Sequence, residues 1–184
     1  MKKILIASLA SALLAGCAIA PAPRFPVAQA PRPIDNPLTL AAQRQAAATF
    51  PGKRLAPGQF AWVPAAAMPK SGAMSVLISM RDQMGYVFRG GQLVAITTVS
   101  TGVPDHPTDP GRWTILNKQK FHRSNKYSNA PMPNMQRLDQ WGRALHGGVV
   151  PGYPASHGCI RLPPPLAAKL FGLTKIGDTV DIET

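Results

Sequence analysis

Between residues 21 and 37 the chain carries Pro21, Pro23, Pro26, Pro31, Pro33 and Pro37 with few apolar anchors. Such a stretch cannot pack a core and reads as an extended, semi-rigid spacer. Residues 17–37 are therefore expected to form a tether, and the compact fold must come from the residues beyond it. Leu38 to Phe50 has the Ala and Gln content of a short helix, ended by Pro51-Gly52. The rest of 38–72 is an irregular lead-in with a strand at Gln59–Val63. The compact domain is expected over residues 73–184, about 110 residues, enough for one modest core.

Within that domain, Met74–Met80 and Gln92–Ser100 have strand composition, linked through Tyr86-Val87-Phe88 and the Arg89-Gly90-Gly91 turn. Gly111–Leu116 and Arg143–Val150 read as further strands, and Asp178–Glu183 alternates Val180 and Ile182 with polar residues. Pro164–Leu173 is the best helix candidate, opening behind prolines that suit a first turn. Short strands separated by turn signals predict a mainly β domain, a sandwich or partly closed barrel with one or two short helices.

The first residues have a different purpose. Lys2 and Lys3 precede the apolar run Ile4–Leu14, too short to span a bilayer and laid out like an export signal over residues 1–16. Leu14-Ala15-Gly16-Cys17 resembles the cleavage box of bacterial lipoproteins, in which Cys17 is lipidated. The plainer alternative is an ordinary signal cut near Ala20, which discards Cys17. On either reading Cys159 is the only thiol of the mature chain and has no intramolecular disulfide partner. Without Lys2 and Lys3, 18 basic and 8 acidic side chains give a net charge of about +10. That surface suits anionic partners such as wall polymer or acidic headgroups. The export signal and the lack of a dense Lys/Arg run argue against nucleic acid.

The chemistry concentrates in Ser156-His157-Gly158-Cys159-Ile160-Arg161 and in His146-Gly147-Gly148 upstream. Cysteine attacks carbonyls as thiolate, so a nearby imidazole is what makes it a nucleophile. Glycines let backbone amides approach a reacting carbonyl closely, as an oxyanion pocket requires. His157 and His146 compete for the role of base, and His146, on a neighbouring strand, is better placed to approach across the sheet. No Asp or Glu lies between Arg143 and Arg161, so a backbone carbonyl, Gly147 the nearest, is expected to orient the base. His146, His157 and Cys159 match no standard zinc spacing and lack an adjacent carboxylate, so no metal is expected. His106 and His122 fall in Pro- and Asn-rich loops, at the surface or on a cleft rim.

These two elements resemble the signature of the bacterial L,D-transpeptidase catalytic domain. The resemblance extends through Val87–Leu93, Val99-Ser100-Thr101-Gly102 and Thr108–Ile115, and so covers roughly Ala73 to Ile182. It implies a mixed β-sandwich whose cleft binds peptidoglycan stem peptides, with no cofactor. It implies that Cys159 attacks the diaminopimelate carbonyl at stem position three, that His146 is the base oriented by the Gly147 carbonyl, and that His157, Gly158 and the Cys159 amide shape the oxyanion pocket. Arg161 would hold the cleft or a substrate carboxylate. Ser156, also on the substrate side, reads more as a turn-stabilising hydroxyl. Met132, in Ala130-Pro131-Met132-Pro133, belongs to a Lys118–Gln136 segment expected as lid or substrate rim. Against the family pattern, the link from Gly148 to Ala155 is short and stiffened by Pro151 and Pro154. Three functions are compatible with these residues: a lipid-anchored transpeptidase of the periplasm, a hydrolase on the same fold, or a silent wall-binding lipoprotein. Ala18 after Cys17 is compatible with outer-membrane sorting.

Overall fold

The computed structural model describes residues 36–184; the expected signal segment, Cys17 and all but the end of the Pro-rich tether lie outside them. In chain order the elements are helix α1 (Pro37–Thr49), strand β1 (Phe60–Trp62), a 3-10 turn (Ala65–Ala67), and strands β2 (Met74–Ser79), β3 (Met84–Arg89), β4 (Gln92–Thr98), β5 (Gly111–Thr114), β6 (Asn117–Gln119), β7 (Met135–Arg137), β8 (Ala144–Gly147) and β9 (Ile160–Leu162). Helix α2 (Pro164–Leu173) and strand β10 (Thr179–Glu183) complete the fold. Among the described residues the strands form a six-stranded sheet, β1-β4-β3-β2-β10-β5, and a four-stranded sheet, β6-β7-β8-β9. Strand β10 runs parallel to β2 but antiparallel to β5, and β9 runs parallel to β8 while β7 opposes it. The result is the mixed, mainly β sandwich that the sequence leads one to expect.

Side-chain alternation along each strand builds the layers. Val76 and Ile78 of β2, Val87 of β3 and Val180 and Ile182 of β10 face the central core. Leu145, Ile160 and Leu162 of the small sheet meet them there, with Leu166, Ala167 and Leu170 of α2. Leu77, Tyr86, Leu93 and Ile96 point to the other face of the large sheet, where Ala42 of α1 packs. Helix α2 begins on Pro164 and Pro165, whose fixed φ suits a first turn. At its far end Lys118 donates to the Phe171 carbonyl at 2.6 Å and to the Thr174 carbonyl, answering groups a helix leaves open.

The lead-in is more firmly built than its composition suggests. Helix α1 starts at Pro37, the last of the tether prolines, where a missing N–H costs nothing. The Glu183 carboxylate accepts the Leu38 and Thr39 N–H groups at 3.3 and 2.8 Å, a negative charge at the positive end of the helix. Strand β1 joins the large sheet at its edge, pairing Phe60 with Thr97.

The Lys118–Gln136 segment is a hydrogen-bonded flap. Strands β6 and β7 pair antiparallel at its base, Asn117 opposite Arg137 and Gln119 opposite Met135. Above them the N–H groups of Asn134, Met132 and Ser124 donate to the carbonyls of Lys120, His122 and Ala130, each at 2.9 Å. The flap folds over the small sheet on the face away from α2.

Candidate active site

Parallel β8 and β9 pair Leu145 with Ile160 and His146 with Arg161. One step back along that register, Cys159 stands beside Ala144. Neighbours across a ladder point to the same face, so Ala144, His146, Cys159 and Arg161 share the face opposite the core residues Leu145, Ile160 and Leu162. That face floors a cleft of about 1010 Å³, with the flap as one wall and Gly147 to Val150 as another.

The loop presenting Cys159 is fixed by backbone and hydroxyl bonds. The Ser156 hydroxyl, buried, donates to the Cys159 carbonyl at 2.5 Å and accepts the Gly158 N–H at 3.2 Å. Ser156 thus stabilises the turn with both its donor and its acceptor capacity. Gly158 has φ +102°, a conformation that disfavours any side chain, and a Cβ there would lie 3.4 Å from the Pro107 carbonyl. Thr108, a residue sequence reasoning assigned no role, donates its hydroxyl to the Gly158 carbonyl at 3.0 Å and accepts the Gly102 N–H at 2.9 Å. Pairing of Ser100 with Arg161, and of Ala155 and Ser156 with the Thr101 carbonyl, laces the loop to the chain leaving β4.

His146 is buried, and its Nδ1 lies 3.0 Å from the Gly147 carbonyl. A carbonyl only accepts, so Nδ1 carries the proton in the neutral ring and Nε2 keeps a free lone pair. Burial lowers the His146 pKa, outweighing the Gly147 hydrogen bond, with the positive charge of Arg161 adding to the fall. Burial likewise pushes the Cys159 thiol up, against a hydrogen bond from the Ala144 backbone. Both shifts favour the neutral form, thiol and imidazole alike. The thiol points at the Gly142 carbonyl, 3.6 Å away.

His157 is exposed at the cleft mouth, stacked on Tyr127 of the flap tip with centroids 4.6 Å apart, and tilted against His106 at 5.1 Å. His106 and His122 both line the cleft, at the rim. Met132 is buried against Met135, Ala144 and Cys159 at the base of the flap. Arg161 lines the cleft, its stem covering Gly148, where a Cβ would meet its Cδ at 3.2 Å. Among the described residues no ion pair engages it. Nor is any trio of His, Cys, Asp or Glu among them placed to hold a metal.

One element went unread in the sequence. Asp139 lies just upstream of the stretch searched for a carboxylate, only 5 % exposed, and its Oδ1 accepts the N–H groups of Trp141, Gly142 and Arg143 at 2.9, 2.8 and 2.9 Å. The Asp-x-x-Gly-Arg spacing between two short strands is the signal for such a turn. Arg143 is held over the Trp113 ring at 4.7 Å and pairs with Asp109.

Residues 73–182 match the family model of the YkuD L,D-transpeptidase catalytic domain. Among solved structures, an L,D-transpeptidase from Stackebrandtia nassauensis is 29% identical with a TM-score of 0.57, covering 77% of this chain and 63% of its own. An L,D-transpeptidase from Mycobacterium smegmatis shares the fold at 20% identity and TM-score 0.57, covering 60% and 58%. L,D-transpeptidase 3 from Mycobacterium tuberculosis, in complex with a faropenem-derived adduct, does so at 20% identity and TM-score 0.55, covering 61% and 60%. The chain spans about three-fifths of the length of these solved chains. No curated protein matches it.

Proposed function

The chain belongs to the L,D-transpeptidase catalytic-domain family, and from that premise we propose that it transfers acyl groups of peptidoglycan stem peptides through a thioester on Cys159. The observation that carries this reading is the shared face of β8 and β9, on which a buried, Nδ1-protonated His146 and the only thiol of the described residues both lie.

His146 Nε2 takes the thiol proton as the sulfur attacks the carbonyl of the third stem residue, forming the S–C bond. With both groups neutral at rest, proton transfer accompanies attack rather than preceding it. The Cys159 N–H is the main donor to the developing oxyanion, because the Gly158 N–H is shared with Ser156 Oγ. Collapse breaks the C–N bond, and the leaving D-alanine amine takes the proton from Nε2. An acceptor amine then attacks the thioester and gives its proton to Nε2, which passes it to the departing sulfur as the S–C bond breaks and so restores the thiol. Arg161, free of any ion pair among the described residues, suits a carboxylate of the peptide.

The Lys2–Leu14 run and the Leu14-Ala15-Gly16-Cys17 box support an exported lipoprotein, held to an envelope membrane through acyl chains on Cys17. Two acyl chains or more give stable anchoring.

Incubation with disaccharide-tetrapeptides, followed by mass spectrometry of the products, tests the reading. Crosslinked dimers are expected; tripeptide alone would assign a hydrolase, and unchanged substrate would reject the enzyme. A carbapenem or faropenem is expected to add covalently to Cys159, as a faropenem-derived adduct accompanies the Mycobacterium tuberculosis enzyme.

A further inference from the structure

We infer that Asp139 is a positioning residue for the nucleophile: it shapes the turn from Leu138 to Arg143 that holds the Gly142 carbonyl against the Cys159 sulfur, and it sets a buried carboxylate in the same cleft. The inference rests on Cys159 being the nucleophile.

The acceptor is the Gly142 carbonyl, 3.6 Å from Sγ. A thiol donates to that carbonyl, while the Ala144 backbone favours the thiolate. Leu138 N–H donates to the Arg143 carbonyl at 2.8 Å and closes the turn, while Gly142 has φ +101° and tolerates it as other residues would not.

Holding the turn needs only one oxygen. All three amides go to Oδ1, while Oδ2 makes no aligned hydrogen bond, with Arg143 Nη1 3.3 Å away at poor angle. An asparagine carbonyl offers those amides the same acceptor. What the carboxylate adds is a buried negative charge lining the same cleft as the sulfur, which opposes the thiolate alongside burial, the larger cause. The cleft around the sulfur also holds Arg143 on the turn, Arg161 on β9, His146 on β8, Arg137 on β7, His122, Lys126 and Tyr127 on the flap, His157 on the sulfur's own loop, and Asp105, His106 and Asp109 on the loop before β5. Asp139 is the one anion that opposes the thiolate, and Arg143 and Arg161 favour it.

The test is alkylation of Cys159 by iodoacetamide across a pH series in the full chain, read by mass spectrometry on the tryptic peptide Ala144–Arg161. Asp139→Asn is expected to move the midpoint down and to speed the reaction at neutral pH about threefold. A profile superimposable on the parent would overturn the inference. Should Asp139→Asn fail to fold, Arg143→Gln, read on Leu138–Arg161, is expected to move the midpoint up, and no movement there would overturn it equally. Turnover surviving in Cys159→Ala would instead reject the nucleophile itself, leaving the alkylation result to stand alone.

Discussion

Tyr127, at the flap tip, stacks on His157, two residues before Cys159, with ring planes inclined by 28°. Nearby, Lys126 donates to the Trp141 carbonyl at 2.5 Å, on the turn that faces the sulfur. The flap is thus fastened on both sides of Cys159, to the loop that carries it and to the turn that holds its proton.

Loosening the first fastening should expose the thiol. An aromatic pair contributes about 0.5–1.5 kcal/mol beyond area burial, so Tyr127→Ala is expected to speed alkylation of Cys159 about two- to tenfold. Tyr127→Phe, which keeps the ring, should not. Equal rates for all three proteins would show that the stack does not govern access.

His146 and Ser156 should separate by kind of effect. Removing a general base costs about 10²–10⁴ in rate, so His146→Ala is expected to lose that much in kcat/KM with a stable fold. Ser156→Ala breaks a buried turn and should cost about 1–3 kcal/mol of stability with a smaller loss of turnover. Steady-state kinetics beside thermal melting read both; the reverse order would move the base elsewhere.

Stability should fall on both sides of neutrality. His146 has a lowered folded pKa, so below the ordinary imidazole range the unfolded chain binds a proton that the native chain refuses, and stability drops as pH falls. Cys159 has a raised folded pKa, so its contribution is complete below the ordinary thiol range and is lost as pH rises through the folded value. Melting temperatures of the parent and His146→Gln across pH check this: the acid-side slope should flatten in the variant.

Thr108 ties the loop before Cys159 to Gly102 through one hydroxyl. Thr108→Val keeps the shape and leaves a buried N–H and a carbonyl unpaired, at a cost of about 1–3 kcal/mol. The expected result is a lower melting temperature together with a kcat loss beyond what the folded fraction explains. A fall in melting temperature alone would make Thr108 purely structural.

Much of the site is legible because its parts sit close in sequence: Cys159, the Ser156 turn and the His146-Gly147 pair all lie in segments whose glycines and histidines announce them. Helix α2 is legible from its prolines, and β2, β4 and β10 from β-branched alternation. Strands β6, β7 and β9 are three residues each, and Asn117-Lys118-Gln119 has no apolar member; only pairing across the flap makes it a strand. Asp139 shows nothing in composition, because its role is to collect three amides that become neighbours only once the turn closes. His157 is half-legible: the sequence places it beside the thiol, but its partner rings at 106 and 127 come from distant loops.

Helix α1 and the flap occupy opposite outer layers of the sandwich, with both sheets and the shared core between them. The Asn36 side-chain amide is hydrogen-bonded to the carbonyl of Thr184, so the start of α1 and the residue after β10 are fastened together on the α1 side. Changes at that seam therefore reach the thiol only through both sheets and the core they share.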